Sequence, residues 1–289
     1  MSGRIVISGA GGLVGRVLAD QARRQGRDVL ALTSSQWDIT DAAAAERFIE
    51  AGDVVINCAA YTKVDDAEKD EARAAAVNTT GPENVAQACA RAGADLIHIS
   101  TDYVFSGSLR RPYEIDDETD PLSVYGRTKL AGELAALAAM PDAHIVRTAW
   151  IYEGGNGTDF AAVMRRLAAG EGTVEVVADQ VGSPTYVGDL VGALLQIVDG
   201  AISGPVLHAA NEGEASRFEQ ARAVFEAVGA DPERVRPVGS DRYPRPAPRP
   251  PYSALSGRLS AKAGLTPLRP WREALVAAIT SGGPLTSTA

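Results

Sequence analysis

The sequence predicts an α/β protein built on a doubly wound parallel sheet, and three observations carry that expectation. Short apolar runs alternate with helical stretches through the first half of the chain. The first run and the first helix are joined by a glycine-rich turn. The runs are continuous rather than alternating, as strands covered on both faces require.

Arg4-Ile5-Val6-Ile7-Ser8 reads as the first strand, Gly9 to Gly15 as the turn, and Arg16 to Gly26 as a helix. Asp28 to Thr33 follows as a second strand, then a helix over Asp41 to Ala51, opened by Asp38 or Thr40 as a cap. Val54 to Ala60 is an uninterrupted third strand, with helices over Ala67 to Val77 and Pro82 to Ala92 behind it. A strand over Asp95 to Ser100, a helix from near Pro121 to about Ala139 and a strand over His144 to Thr148 complete the alternation. Val187 to Val198 is helical by pattern and is expected to pack back on the sheet. Right-handed crossovers in a Rossmann-type sheet gather ligands at the carboxyl ends of the strands, where Gly9, Ala60, Thr101 and Thr148 fall. The expected organisation is a dinucleotide-binding domain over residues 1–150, rejoined by segments near 179–208. A smaller, mainly substrate-binding domain then occupies 151–289.

At 289 residues the chain can bury a substantial core. Its net charge of −9 argues against nucleic-acid and anionic-membrane partners. No apolar run reaches the roughly 20 residues that span a bilayer. Met1-Ser2-Gly3-Arg4 leads straight into the first strand, so no signal peptide is expected. Cys58 and Cys89 lack metal-ligand spacing and read as reduced packing residues of a cytoplasmic monomer or homodimer, with no metal site.

Tyr125 and Lys129 share one helical face, at i and i+4, and Thr101 ends the strand upstream. A cation near a phenol lowers a pKa of about 10, which lets the phenol exchange a proton with a substrate oxygen. The Thr101 hydroxyl can bond the same oxygen. Taken alone, Tyr-x-x-x-Lys is weak evidence and more often marks a solvated helix face. The turn Gly9-x-x-Gly12-x-x-Gly15 suits a pyrophosphate met by backbone N–H groups at a helix N-terminus, or a turn without ligand. Between Arg242 and Tyr252 stand five prolines, which reads as an interdomain linker or as a rigid loop carrying arginines to phosphates. His98 is expected to be a strand residue apart from the chemistry.

These segments resemble the extended short-chain dehydrogenase/reductases. The resemblance rests on the glycine turn, Asn57-Cys-Ala-Ala-Tyr-Thr-Lys-Val-Asp65, Ser100-Thr-Asp-Tyr-Val-Phe105, Tyr125-Gly-x-x-Lys129 and Arg147-Thr-Ala-Trp-Ile-Tyr152. It continues through Asp179-Gln-Val-Gly-Ser-Pro-Thr185, His208-Ala-Ala-Asn211 and Arg249-Pro-Pro-Tyr-Ser-Ala-Leu255, covering nearly the whole chain in order. Within the superfamily the pattern is most similar to reductases of nucleotide-linked 4-keto sugars.

The resemblance implies hydride transfer from NAD(P)H to the 4-keto carbon of dTDP-4-dehydro-L-rhamnose, a nucleotide-sugar substrate. It makes Thr101, Tyr125 and Lys129 catalytic. It places Gly9, Gly12, Leu13, Val14, Gly15, Asp38, Ile39, Ala59, Ala60, Tyr61, Ser100, Tyr125 and Lys129 on the dinucleotide. Thr62, Val64, Thr101, Asp102, Tyr103, Trp150 and Arg249 face the sugar nucleotide, although Trp150 also fits a packed core position. Strand two ends in Thr33-Ser34-Ser35 without an acid, which leans toward NADPH over NADH. Arg16-Val17-Leu18 stands where magnesium-binding relatives carry a carboxylate, so magnesium is not supported. Asp159 replaces the family Asn and would repel a diphosphate if it pointed inward. A dehydratase or epimerase of the superfamily, a reductase of another ketone and a non-catalytic NADP-binding regulatory subunit are the competing functions.

Overall fold

Five apolar runs in the first half of the chain and one near its three-quarter point assemble into a six-stranded sheet in which every neighbouring pair is parallel. The strands are β1 (Ile5–Ser8), β2 (Val29–Leu32), β3 (Val54–Asn57), β4 (Asp95–Thr101), β5 (His144–Thr148) and β6 (Val206–His208). Their spatial order is β6-β5-β4-β3-β1-β2. The structure is a computed structural model that describes residues 3–200 and 202–281. The start at Met1-Ser2 and the expected domain end over 282–289 lie outside the described residues.

Successive side chains of each strand leave on opposite faces, and both faces are apolar. Ile5, Ile7, Val54, Ile56, Ile97 and Val146 pack on one side against α1 (Leu13–Arg24) and the helix Val187–Val198. Val6, Val55, Leu96 and Ile145 pack on the other, where α2 (Gly81–Ala92) and α3 (Val124–Ala139) lie. The expected return of Val187–Val198 to the sheet is therefore observed. Chain order reverses between β1 and β3, so the glycine turn after β1 opens at the crevice of the sheet.

Gly9 adopts φ +67°, and a Cβ there would stand 2.6 Å from the Ala59 nitrogen. At Gly15 a Cβ would stand 2.6 Å from the Gly9 carbonyl oxygen. These two glycines thus let the turn cross β3 and α1 seat against it.

Three helices depart from their sequence boundaries, and in each a side-chain cap marks an N-terminus. The helix expected over Asp41 to Ala51 is Ala42–Ala45, capped by Asp41 on the Ala43 nitrogen; Asp38 instead accepts from the Thr40 nitrogen and hydroxyl. The helix expected over Ala67 to Val77 splits into Val64–Ala67 and Glu71–Ala75, the latter capped by Asp70. It then widens into a π-helical turn over Ala76–Thr80 that runs into α2. That turn aims Asn78 inward, where its amide clamps the Tyr61 backbone and reaches the Thr128 hydroxyl. Helix α3 begins at Val124 rather than near Pro121, because Ser123 accepts from the Gly126 nitrogen at 3.1 Å.

From Tyr152 onward the chain builds a second apolar cluster. It joins Tyr152 of the short strand Ile151–Tyr152 to Met164, Phe225, Trp271 and Leu275 from the helices Phe160–Ala168, Arg217–Ala227 and Trp271–Ser281. A parallel pair, Val174–Val177 with Val235–Val238, flanks it. Among the described residues no helix is long and apolar enough to cross a membrane.

Helix α3 lies so close to the π turn that a Cβ at Gly132 would stand 2.0 Å from the Asn78 carbonyl oxygen. Gly132→Ala is expected to lower stability by about 1–3 kcal/mol in urea unfolding, the usual range for overpacking. An unchanged unfolding midpoint would show that the two elements are not in contact.

Candidate active site

Strand β4 delivers Thr101 to the crevice and turns at once into a 3-10 helix over Asp102–Val104. Helix α3 starts against that turn: a Cβ at Gly126 would stand 2.3 Å from the Tyr103 carbonyl oxygen. The glycine after Tyr125 is thus a contact requirement, and the contact brings Tyr125 to the same cavity wall as Thr101. The rings of Tyr103 and Tyr125 meet edge to face, with centroids 5.7 Å apart.

Burial raises the Tyr125 phenol above its usual value, with Thr101 opposing and Asp102 adding to the rise. The sequence expectation was the reverse, a phenol made more acidic by Lys129. Lys129 is only 2 % exposed and directs its Nζ to the Ile99 carbonyl at 2.7 Å, with His98 Nε2 at 3.4 Å. Burial lowers its pKa to about 8, with the Glu133 carboxylate opposing. His98, expected to stand apart, is therefore a direct neighbour of Lys129.

A cavity of about 260 Å³ collects most of the expected residues. Val14 comes from the glycine turn, Ala60, Thr62 and Val64 follow β3, and Ser100, Thr101, Asp102 and Tyr103 end β4. Tyr125, Lys129 and Trp150 complete the expected set on its wall. Gly9, Gly12, Leu13, Gly15, Asp38, Ile39, Ala59, Tyr61 and Arg249 lie outside this lining. Ile39 is buried in the sheet's second core, and the carboxylate of exposed Asp38 serves Thr40.

The glycine turn suits an anion beyond the cavity. Gly12 caps α1 without a side-chain bond, no acid occupies the first helical turn, and Gly11 and Gly12 are exposed. The Gly12 N–H bonds the Gly9 carbonyl at 3.0 Å, and the N–H groups after it open a helix N-terminus of the kind that can receive an anion. Thr33 lies beside this turn, its methyl 3.7 Å from where a Gly11 Cβ would stand.

Trp150 holds φ +45°, the single positive value among described non-glycine residues. The indole presses on Gly182, where a Cβ would meet it at 2.4 Å, and the Arg217 guanidinium stacks on it at 3.5 Å. Arg217 also lines the cavity, and the sequence reading missed it. Burial lowers its pKa to about 10, with Tyr103 and Asp102 opposing. Ser253 was missed as well; it donates to Asp102 at 2.5 Å.

The proline-rich segment is not a free linker. Arg249 forks onto Asp65 at 2.5 and 2.9 Å beside Tyr103, and Gly107 leaves room for Pro250 and Pro251. Asp159 is engaged as the N-cap of the helix Phe160–Ala168, accepting from the Ala162 nitrogen at 3.0 Å.

Asp102 accepts from Thr101 at 3.0 Å and from Ser253, yet burial raises its pKa to about 6. Its folded pKa lies above the ordinary carboxylate value, so the folded chain holds this proton more tightly and the group's contribution to stability grows as pH falls through 6. Asp102→Asn is expected to remove that gain. Urea unfolding at falling pH should show wild type gaining on the variant below pH 6; a constant difference would overturn the assignment.

Residues 3–282 match the family model described as RmlD substrate binding domain. A dTDP-4-dehydrorhamnose reductase of Mycolicibacterium smegmatis is 70% identical over 296 residues, covering 100% of this chain and 90% of that protein. One from Mycobacterium tuberculosis is 66% identical, covering 99% of this chain and 95% of that protein. Among solved structures, a dTDP-4-dehydrorhamnose reductase of Bacillus anthracis in complex with NADP superposes with a TM-score of 0.89 at 34% identity, covering 97% of this chain and 100% of that one. With a parallel sheet, a glycine turn at its crevice and this extent of likeness, the chain belongs to the RmlD substrate binding domain family.

Proposed function

We propose that this chain is an NADPH-dependent oxidoreductase that converts dTDP-4-dehydro-L-rhamnose to dTDP-L-rhamnose by reducing its 4-keto group. The observation that carries the reading is the gathering of Thr101, Tyr125 and Lys129 on the wall of one cavity with Val14 from the end of the glycine turn. The names of the relatives above support the substrate, and the NADP complex supports the cofactor.

A bound reduced nicotinamide supplies the hydride. Tyr125, kept a phenol by burial, gives its proton to the alkoxide oxygen as it forms. Thr101 orients the carbonyl, and Lys129 holds the nicotinamide ribose. Gly9, Gly12 and Gly15 shape the turn that receives the diphosphate at the N-terminus of α1. Leu13, Val14, Asp38, Ile39, Ala59, Ala60, Tyr61 and Ser100 surround the rest of the dinucleotide. Thr62, Val64, Asp102, Tyr103, Trp150 and Arg249 face the sugar nucleotide, joined by Arg217 as a cation on the cavity wall.

The hydroxyls of Thr33 and Ser35, 2.9 Å apart at the end of β2, support NADPH over NADH, since no carboxylate stands there to repel a 2′-phosphate. Magnesium has no part in this reading. Residues 1–150 with 179–208 serve the dinucleotide and most of 151–289 the sugar nucleotide, in a cytoplasmic monomer or homodimer.

Loss of reduced-nicotinamide absorbance, dependent on dTDP-4-dehydro-L-rhamnose and faster with NADPH than NADH, is the expected result. Bound NADPH without turnover would move the reading to another ketone or to a regulatory subunit. Tyr125→Phe is expected to keep NADPH affinity and to lower kcat about a hundred- to ten-thousand-fold, the range for a lost general acid. Arg217→Leu should raise KM for the sugar nucleotide about tenfold or more while sparing NADPH affinity, in line with a lost charge-assisted bond; an unchanged KM would remove Arg217 from the substrate.

A further inference from the structure

The buried contacts around His98 determine which of its ring nitrogens carries the proton. Asn57 Oδ1 accepts the Ala59 backbone N–H at 3.1 Å and the Ser8 hydroxyl at 2.6 Å. A backbone N–H is always a donor, so the orientation of the Asn57 amide is set. Its Nδ2 must then donate to His98 Nδ1, 3.1 Å away. His98 Nδ1 keeps its lone pair, and a neutral ring carries its proton on Nε2.

That Nε2–H faces Lys129 Nζ at 3.4 Å. An ammonium has no acceptor, so two donors would oppose each other there. The contact is satisfied when Nζ is an amine that accepts from His98 and donates to the Ile99 carbonyl at 2.7 Å. Neighbouring charges do not reverse this. The Glu133 carboxylate on α3 accepts from Arg147 on β5 and from Ser100 on β4. The Cys58 thiol after β3 is kept protonated by burial, with its pKa pushed to about 12, and Tyr125 stays a phenol. Burial lowers the pKa values of both His98 and Lys129.

We infer that His98 is a positioning residue that favours the amine form of Lys129 against β4, and that dinucleotide binding, in the pH range where that amine is populated, draws in a proton as Lys129 leaves His98 for the ribose. This rests on the proposed role of Lys129 toward the ribose. The proton comes from solvent, and only an N–H bond on Nζ is formed. Cofactor affinity accordingly falls as pH rises above the titration of Lys129, near 8.

The test is calorimetry of NADPH binding near pH 8, in two buffers of different ionisation enthalpy. Wild type is expected to take up part of a proton per NADPH bound. His98→Asn retains a partner for Asn57 but places no group at the Nε2 position, so it should shift that uptake to higher pH. Equal heats in the two buffers, or an uptake unmoved by His98→Asn, would overturn the inference; a merely structural histidine leaves the proton count alone. Nitrogen-15 NMR of the wild-type imidazoles provides a second arm that does not need the variant to fold. The chain has 3 histidines, and His98 should show a protonated Nε2 beside a bare Nδ1. The opposite tautomer overturns the proposal. Proton uptake without sugar-nucleotide turnover would count against the reductase reading alone, and turnover without uptake against His98 alone.

Discussion

Glu133 reaches from α3 between two strands, accepting the Ser100 hydroxyl from β4 and a forked set of bonds from Arg147 on β5, the shortest at 2.7 Å. The two charged side chains are 2 % and 6 % exposed, and the Arg147 guanidinium also lies 5.2 Å from the Phe105 ring. Removing one member of such a pair leaves an unpaired buried charge, at a cost of about 3–5 kcal/mol. The position of the site follows from this pair. Its helix carries Tyr125 and Lys129, its first strand ends in Thr101, and its second leads to Trp150.

Close backbone approach supplies the rest of the precision. Gly126 lets α3 touch the turn after β4, and Gly132 lets it touch the π turn that presents Asn78. Asn78 in turn clamps the Tyr61 backbone at the edge of the crevice. Trp150 holds a left-handed backbone, which costs a non-glycine residue about 1–3 kcal/mol, and the Gly182 and Arg217 contacts retain its ring in place. Strain of this kind persists where the surroundings determine the conformation more strongly than local preference does.

The sheet was legible because runs such as Val54-Val55-Ile56 must bury both faces, and the structure covers both. Tyr125 and Lys129 were legible as a pair because their spacing is local, and Thr101 joined them through the resemblance to a known family. The direction of Lys129 was not, since its acceptor is a backbone carbonyl on another element. Arg217, Ser253 and the Arg249–Asp65 pair escaped for a similar reason: each acts across segments distant in the chain, and no local pattern marks the partner. Helix boundaries failed where Asp41, Asp70 and Ser123 capped, because a polar side chain near a periodic run offers several starts and tertiary packing selects one.

Cys58 lines the cavity beside Lys129, whose charged form would favour thiolate. Here burial prevails, and the pKa of Cys58, like that of Cys89, is pushed to about 12. Because thiolate is the reactive form, electrophilic warheads aimed at either sulfur would meet a poor nucleophile at neutral pH, and mild oxidants little to oxidise.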